Sequence, residues 1–402
     1  MQHNALRRFT AHFALYQAAS ALAGAFIGAY LLRSGLSLPM ALLVYAGLYA
    51  ARIGVRAAVL PLVRRVGYRG ALALGAGLGV LQFPPLLLAE APVWLAVWVA
   101  TVSFAEATYW PVFHATAAVL GAEGQRGREI AERQVIGLGV SVAGPLLGGW
   151  LLGTYGPALD FGVAACLAAL STLPVALLGA VPAGTVPTAR ESVRGADPIG
   201  TLAFAADGWI SGGLGIAWPM LLFASLGERF EVLGAATALG AAVGAVSGLL
   251  CGRCVDRGGR ERMLPWVAGV LAAGVVLRAA EGWAPIGAGA IHATGAAIGA
   301  LWGPVLMSVL YDRARDSGSA YRYHLATETG WDAGACLGCV AAAGTAWATG
   351  VPSLAVLPAL FGVAVVFACV RAAGEEGRLH LSGGRRDADA VALANGAPAP
   401  AG

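Results

Sequence analysis

Long apolar runs alternate with short polar segments along nearly the whole chain. Twelve such runs can be delimited, at residues 9–32, 37–62, 70–90, 92–120, 131–154, 157–181, 198–226, 231–251, 263–281, 284–311, 322–349 and 351–372. An α-helix needs about 20 apolar residues to cross a bilayer, and it satisfies its own backbone hydrogen bonds there. The pattern therefore predicts an all-α membrane protein with twelve transmembrane helices.

The longest polar interruption divides the chain into two halves of six runs each. It ends in Asp197-Pro198, an N-cap residue followed by proline at the first helical position, which is a typical helix start. The predicted domains are an N-terminal six-helix bundle at 1–181, a cytoplasmic connector at 182–197 and a C-terminal bundle at 198–372. Residues 373–402 are polar and then rich in Ala, Pro and Gly, so we expect a disordered cytoplasmic tail.

Arginine positions test this count of helices. If the loops alternate between the two sides of a membrane, 21 arginines fall on one side and three, Arg33, Arg229 and Arg278, on the other. Loops rich in arginine stay in the cytoplasm. We therefore expect both termini to be cytoplasmic in a protein of the cell (inner) membrane. The net charge of +4 comes from arginines at helix ends, so nucleic acid is not expected as a partner.

Composition argues against enzymatic chemistry. All 26 basic residues are arginine, so a P-loop lysine or a Schiff-base lysine is excluded within this sequence. The six cysteines include two C-x-x-C pairs, Cys251/Cys254 and Cys336/Cys339. The second pair falls in an apolar, glycine-rich run, where cysteine acts as a small packing residue. We expect no enzyme activity, no cofactor and no metal.

One compact charged segment lies between the eighth and ninth runs, at residues 252–262. It resembles the cytoplasmic signature loop of the major facilitator superfamily, roughly G-x-x-x-D-R-x-G-R-[RK]. That loop joins the second and third helices of a six-helix half. Glu261 stands where the family usually has a second base. The matching residues, to which the resemblance assigns a conformational latch, are Gly252, Asp256, Arg257, Gly259 and Arg260.

An internal repeat supports the same arrangement. Shifting the chain by 192 residues places Arg65 on Arg257, Gly67 on Gly259 and Trp110 on Trp302. The first-half loop at residues 64–69 then is a degraded copy of the second-half signature. Two six-helix halves related by an axis along the membrane normal are the facilitator arrangement. The resemblance thus implies two pseudo-symmetric six-helix bundles.

A second motif lies in the fifth run, Gly144-Pro145-Leu146-Leu147-Gly148-Gly149. It resembles the G-P-x-x-G-G core found on the fifth helix of proton-coupled drug antiporters in the same superfamily. The preceding glycine of that motif is Val140 here, and the arginine of the fourth helix is absent. The alternative is a small-residue packing face with a proline kink, which needs no function.

Ionisable side chains inside apolar runs are the functional candidates, because each costs about 2.5–3.5 kcal/mol at the centre of a membrane helix. The resemblance implies that the first, fourth, seventh and tenth helices line a central cavity and that the second and eleventh pack across the halves. Candidates at sufficient depth are Arg52, Arg56, Glu106, His114, Asp207, His292, Glu328 and Asp332. On this resemblance the cavity-facing residues are Tyr16, Gln17, Glu106, Trp110, His114, Asp207 and Trp302.

Glu106 is the first candidate for proton coupling, because apolar surroundings favour the protonated form of a carboxyl. Glu328 and Asp332 are four residues apart, so they share one face of the eleventh helix and either share a proton or hold an arginine. Arg52 is their predicted partner across the halves, in a structural salt bridge or a moving gate. The alternative for Glu106 is a permanent hydrogen bond to a tyrosine or histidine. Asp207 is alternatively a polar residue near a helix end, and His292 a satisfied polar residue.

The sequence as a whole predicts a secondary active transporter that moves a small solute by alternating access. Proton coupling is expected, and the antiporter-like motif favours export. One chain with both halves is sufficient, so we expect a functional monomer in the lipid bilayer. Two other interpretations stay open: a facilitator-derived sensor or assembly subunit that does not transport, and a lipid flippase or membrane enzyme on the same scaffold.

Overall fold

The computed structural model describes residues 2–120, 126–179, 181, 186–194, 196–254, 260–281 and 287–394. Every regular element in these ranges is helical. The elements of the first half are α1 (Gln2–Ala23), α2 (Ile27–Arg33), α3 (Leu38–Val80), α4 (Phe83–Leu87), α5 (Pro92–Leu120), α6 (Arg126–Tyr155) and α7 (Pro157–Ala176). A 3-10 turn at Gly24–Phe26 joins α1 to α2, so the two form one membrane span.

The first-half charged loop is a turn inside α3. Gly67 has φ 68° and ψ 177°, a non-helical conformation that breaks the 43-residue helix into two. Glycine adopts a positive φ without the steric penalty that a Cβ brings. The turn falls between the second and third predicted runs, where the repeat places the degraded signature loop.

The connector and the second half follow the same pattern. Their elements are α8 (Ala189–Arg194), α9 (Pro198–Ser211), α10 (Trp218–Ser225), α11 (Phe230–Cys254), α12 (Arg260–Ala280), α13 (Ala288–Asp316), α14 (Ala320–Thr349) and α15 (Ala359–Ala394). A π-helical segment, Gly212–Ala217, joins α9 to α10 within one span, and a 3-10 turn at Pro352–Val356 precedes α15. The Asp197 side chain accepts a hydrogen bond from the Gly200 N–H, so the predicted N-cap is present.

Twelve membrane spans account for these helices. Nine segments in the described ranges are long and apolar enough to cross a membrane, and one of them, Leu38–Leu87, contains two spans separated by Gly67. The two remaining spans are α5 and α14, which carry Glu106 and the Glu328/Asp332 pair. The predicted fold class, an all-α membrane protein with twelve helices in two six-helix bundles, is confirmed.

The two ends of the bundle are packed differently. We call the end that holds residues 186–194, residues 196–197 and the turns at Gly67 and Gly318 the connector end, and the opposite end the far end. At the far end, one apolar core joins both halves, and α2 packs closely on α10 through Gly28 and Met220. Towards the connector end, one separate apolar core belongs mainly to the first half and another to the second.

The chain ends differ from the prediction in one respect. The helix α15 continues to Ala394, whereas the sequence predicts a disordered tail from residue 373. Alanine, leucine and arginine, which have high helix propensity, recur through residues 372–394 and favour a helix there, although the segment also holds four glycines. Residues 395–402 lie outside the described ranges.

Candidate functional site

Charged side chains meet where α3 of the first half packs on α14 of the second half. Arg52 and Arg56 are four residues apart on α3, and Glu328 and Asp332 are four apart on α14, so each pair occupies one helix face. Glu106 reaches the same place from α5. We call Arg52, Arg56, Glu106, Glu328 and Asp332 the interface network.

Arg52 lies between two carboxylates from opposite halves. Its Nη1 donates to Glu106 Oε2 at 2.6 Å, within the first half, and its Nε lies 3.1 Å from Asp332 Oδ1, in the second half. The sequence predicted a contact of Arg52 with Glu328 or Asp332, and the structure places it on Asp332. The moving-gate role of this contact stays a prediction.

Arg56 pairs across the same interface. Its Nε donates to Asp332 Oδ2 at 3.1 Å, and its Nη2 forms a second hydrogen bond to that oxygen. The same Nη2 lies 4.0 Å from Glu328 Oε2. Asp332 therefore holds both arginines of α3, and Glu328 is the more distant partner.

Exposure separates Glu106 from the rest of the interface network. Its side chain is 31% exposed, whereas the side chains of the other four members are at most 10% exposed. Glu106 is thus the carboxylate of the interface network that water or a solute reaches most readily. With every member ionised, three carboxylates face two guanidinium groups, which leaves one excess negative charge.

Two histidines extend the interface network. His114 on α5 has its Nε2 3.6 Å from Glu328 Oε1, and its ring stacks on the ring of His324 from α14 at 5.1 Å between centroids. The predicted neighbour Trp110 stacks on His114 at 6.0 Å. The sequence reasoning missed His324, although it stands four residues before Glu328 on the face that already carries two carboxylates.

Asp207 on α9 is held by two tryptophans. Trp302 of α13 donates its indole N–H to Oδ1 at 3.2 Å, and Trp331 of α14 donates its own to Oδ2 at 3.1 Å. The ring of Trp331 also lies against the interface network, with the Arg52 guanidinium carbon 6.0 Å from its centroid. Asp207 therefore lies next to the interface network but carries hydrogen bonds from neutral donors.

Aromatic residues surround the corresponding position of the first half. Tyr16 stacks on Tyr109 with 4.2 Å between centroids and meets the edge of Trp110 at 6.0 Å. Gln17, the other predicted cavity residue of α1, is half-buried. The repeat equivalents Trp110 and Trp302 thus both contact the first helix of their own half, one through Tyr16 and the other through Asp207.

His12 is a buried residue that the sequence reasoning missed. Its Nδ1 lies 2.7 Å from the Ser171 carbonyl oxygen and its Nε2 2.9 Å from the Tyr109 hydroxyl. A carbonyl only accepts, so Nδ1 carries the hydrogen and Nε2 accepts from the tyrosine. The available signal was its spacing of four residues from Tyr16 on α1.

The second half holds a further polar cluster towards the far end. Trp218 donates its indole N–H to His292 Nδ1 at 3.1 Å, and the Arg278 guanidinium lies over the Trp218 ring at 5.3 Å. His292 is therefore hydrogen-bonded, as its alternative interpretation held. Arg278, which the sequence assigns to the arginine-poor side of the membrane, is buried, with its guanidinium over the Trp218 ring.

The Gly-Pro motif of α6 is a close-packing surface. A Cβ at Gly148 would lie 2.0 Å from the Leu22 carbonyl oxygen of α1, and one at Gly149 would lie 2.6 Å from the Phe230 carbonyl oxygen of α11. The glycines thus let α6 approach one helix of its own half and one of the other. This packing explains the motif without an antiport role.

The predicted latch lies largely outside the described residues. Asp256, Arg257 and Gly259 are not among them, and Arg260 begins α12. In the described part of the chain, no group of three histidine, cysteine or acidic residues is placed to hold a metal, and Cys336 and Cys339 are free thiols.

Comparison with known proteins identifies the fold. No protein-family profile and no curated protein matches the chain. A variant of the E. coli fucose–proton symporter FucP aligns with a TM-score of 0.64 at 14% identity, over 92% of this chain and 98% of FucP. A D-xylose–proton symporter gives 0.62 at 16% identity, over 92% and 96%. A mutant of the nucleoside transporter NupG gives 0.66 at 13%, over 92% and 99%.

These likenesses show that the chain has the fold of the major facilitator superfamily, and nine segments among the described residues are long and apolar enough to cross a membrane. The similar structures are solute transporters. In this chain, the same fold places a charged network across the two halves and a partly exposed carboxylate at its edge. The arrangement thus sets a titratable carboxylate beside an arginine that contacts both halves.

Proposed function

We propose that this protein is a secondary active transporter that moves a small solute by alternating access, with proton coupling through Glu106. The observation that carries the proposal is Arg52, which is shared between Glu106 of its own half and Asp332 of the other half. A change in the charge of Glu106 therefore alters a contact that joins the two halves.

The charge count gives Glu106 its role. Protonation of Glu106 leaves two carboxylates facing two arginines, so the interface network is electrically balanced and Arg52 is free to interact fully with Asp332. Loss of that proton restores the excess negative charge and draws Arg52 towards α5. Because Coulomb energies rise steeply in a low-dielectric interior, one proton is sufficient to shift this balance. Glu328 and Asp332 complete the coupling machinery.

Orientation and direction belong to the same proposal. The excess of arginines at the connector end supports cytoplasmic termini in the inner membrane. Export was favoured by the Gly144–Gly149 resemblance, and the packing of these glycines removes that support. The direction in which protons move relative to the solute decides between symport and antiport.

The first experiment uses the purified protein in liposomes that contain a pH-sensitive dye. Neutral, cationic and anionic solutes are added in turn, and the Glu106→Gln variant is measured in parallel. We expect a solute-dependent pH change in the native protein and its loss in Glu106→Gln. Glu375→Gln, which removes an exposed carboxylate on α15, is the matched control and should behave as the native protein.

Retention of the pH change in Glu106→Gln would contradict the coupling role and transfer it to Glu328 or Asp332. Binding of a solute by the folded protein, with no movement of any solute in the panel, would favour the sensor interpretation. A flippase would be favoured by an apolar groove opening sideways between the halves. An apolar groove of about 700 Å³ is lined by residues 265–277 of α12, including Trp266, and by Ile298 of α13. It lies within the second half.

A further inference from the structure

Asp207 differs from the carboxylates of the interface network in what it contacts. Glu106, Glu328 and Asp332 each lie within 4.0 Å of an arginine nitrogen. Asp207 instead receives one indole N–H on each oxygen, from Trp302 and Trp331. Among the described residues, no cationic side chain pairs with it. Two neutral donors orient the carboxylate but leave its charge uncompensated.

An uncompensated carboxylate in a membrane interior is costly, and it is retained where a ligand or proton compensates it. Together with the interface network, Asp207 makes four acids that face two arginines, Arg52 and Arg56. Two positive charges are therefore missing. The proton on Glu106 supplies one of them, and a proton or a bound cation at Asp207 supplies the other.

The indoles around Asp207 fit a cation. Aromatic rings attract ammonium and guanidinium groups through their negative faces, and tryptophan does so most strongly. Each indole directs its N–H edge at the carboxylate, so its ring faces are turned to the sides of the N–H···O contacts, and one face of Trp331 already lies under the Arg52 guanidinium. Both oxygens keep a lone pair for such a group, because a carboxylate accepts up to about four hydrogen bonds.

The corresponding position of the first half has a different chemistry. Trp110, the repeat equivalent of Trp302, meets the tyrosine ring of Tyr16 and, within the described part of the chain, no carboxylate. The acidic and aromatic combination thus occurs in one half, although the fold repeats. This asymmetry indicates that Asp207 is placed for a ligand and is not needed to build the six-helix bundle.

We infer that Asp207, with Trp302 and Trp331, binds the cationic group of the solute, which is an organic monocation. The inference rests on the proposed transport function and names its substrate class. Trp331 has Asp207 on its indole N–H and Arg52 near its ring face. A bound cation and Arg52 repel each other across this residue, so solute binding acts on the same arginine that Glu106 controls.

The test is a binding measurement on the full-length protein in detergent, without any gradient. Calorimetric titration compares three monocations (choline, tetraethylammonium and benzyltrimethylammonium) and, for choline, the uncharged analogue 3,3-dimethylbutan-1-ol, which replaces nitrogen by carbon. We expect saturable binding of at least one cation and at least tenfold weaker binding of the analogue than of choline. Asp207→Asn should weaken binding of the cation at least 30-fold, while Asp207→Glu should restore it to within tenfold.

Two controls keep the outcomes distinct. Glu375→Gln should bind as the native protein does. Thermal midpoints of Asp207→Asn and Asp207→Glu that equal the native midpoint show that both variants are folded. Unchanged cation binding in Asp207→Asn, or no binding of any of the three cations by the native protein, would overturn the inference. Cation binding that depends on Asp207, combined with no proton flux in liposomes, would sustain the inference and reject the proposed coupling.

Discussion

At the scale of single residues, Asp332 is the side chain on which the interface between the halves depends most. It is fully buried, and it contacts Arg52 and Arg56 together. Two guanidinium groups without this carboxylate would be left in an apolar interior with one nearby acid each. Removal of one partner from a buried ion pair is far more damaging than the net contribution of the intact pair.

We therefore expect Asp332→Asn to destabilise the protein by about 3–5 kcal/mol, the range for an uncompensated buried charge. Glu328→Gln should have a smaller effect, because Glu328 Oε2 is 4.0 Å from Arg56 Nη2, whereas Asp332 contacts both arginines more closely. The thermal unfolding midpoint in detergent measures both variants. Equal midpoints for the two variants would show that Asp332 does not hold the two arginines as described.

Residue spacing in the sequence predicted the contact of the interface network across the halves, but not its contact within the first half. The four-residue separation of Glu328 and Asp332 and the depth of Arg52 indicated a contact between α3 and α14, which the structure contains. The contact of Arg52 with Glu106 was not predicted, because spacing gives the face of one helix but not the rotation of three helices about a common point. Asp207 was identified as a candidate, and its two indole donors, separated by up to 124 positions along the chain, could not be.

At the scale of elements, close approach of α6 and α11 brings the halves together at the far end. The Gly149 backbone lies against Phe230 and Gly234 of α11, where no side chain fits. The helix itself was predictable from its apolar run. Its partner was not, since a small residue permits close packing without specifying what packs there.

Gly149→Ala should separate α6 from α11 and destabilise the protein by about 1–3 kcal/mol, as overpacking does. Gly139→Ala on the same helix meets open space, so it should be neutral or stabilising by up to about 1 kcal/mol.

Thermal unfolding midpoints measure the stability of both variants. Spin labels at Tyr155→Cys and Arg229→Cys, in a background without the native cysteines, measure the far-end distance. An unchanged midpoint and distance in Gly149→Ala would contradict the contact.

At the scale of the whole molecule, arginines attach the connector to both halves. In the first half, Arg64 donates to the carbonyl oxygen of Val186 in the connector at 3.3 Å, and Arg69 donates to that of Leu178, just before the connector, at 3.0 Å. In the second half, Arg313 forms a bidentate pair with Asp197. The composition predicted which end the arginines occupy, and the structure adds that they bind the chain segment that joins the halves.

The Asp197 pair predicts a pH dependence of stability. Partial burial raises the pKa of the Asp197 carboxyl, but hydrogen bonds from Arg313 and the Gly200 N–H outweigh this, so the pKa lies below its usual value. A lowered folded-state pKa stabilises the protein above the unfolded-state value of about 4, and this stabilisation is lost as pH falls through the folded-state pKa.

Asp197→Asn keeps the helix cap but loses the ion pair. At pH 7 its free energy of unfolding should be lower than that of the native protein by about 1–2 kcal/mol, because charge-assisted hydrogen bonds are lost. The difference should shrink as the pH falls below about 4, where protonation of the carboxyl begins to favour the unfolded state. Asp197→Ala should lose about a further 1 kcal/mol because the cap is also removed. A native-to-Asn difference that is constant from pH 7 to pH 3 would refute the ion pair as its source.

The π-helical segment between α9 and α10 sets which neighbours Asp207 and Trp218 face. In an uninterrupted α-helix these residues, eleven positions apart, would have nearly the same angular phase, because eleven residues make about three turns. The π-helical segment contains one more residue per turn, which offsets the two by about 100°. Asp207 therefore turns to Trp302 and Trp331, and Trp218 turns to His292. One residue of helical register thus keeps a carboxylate site and an imidazole site on different sides of the same span.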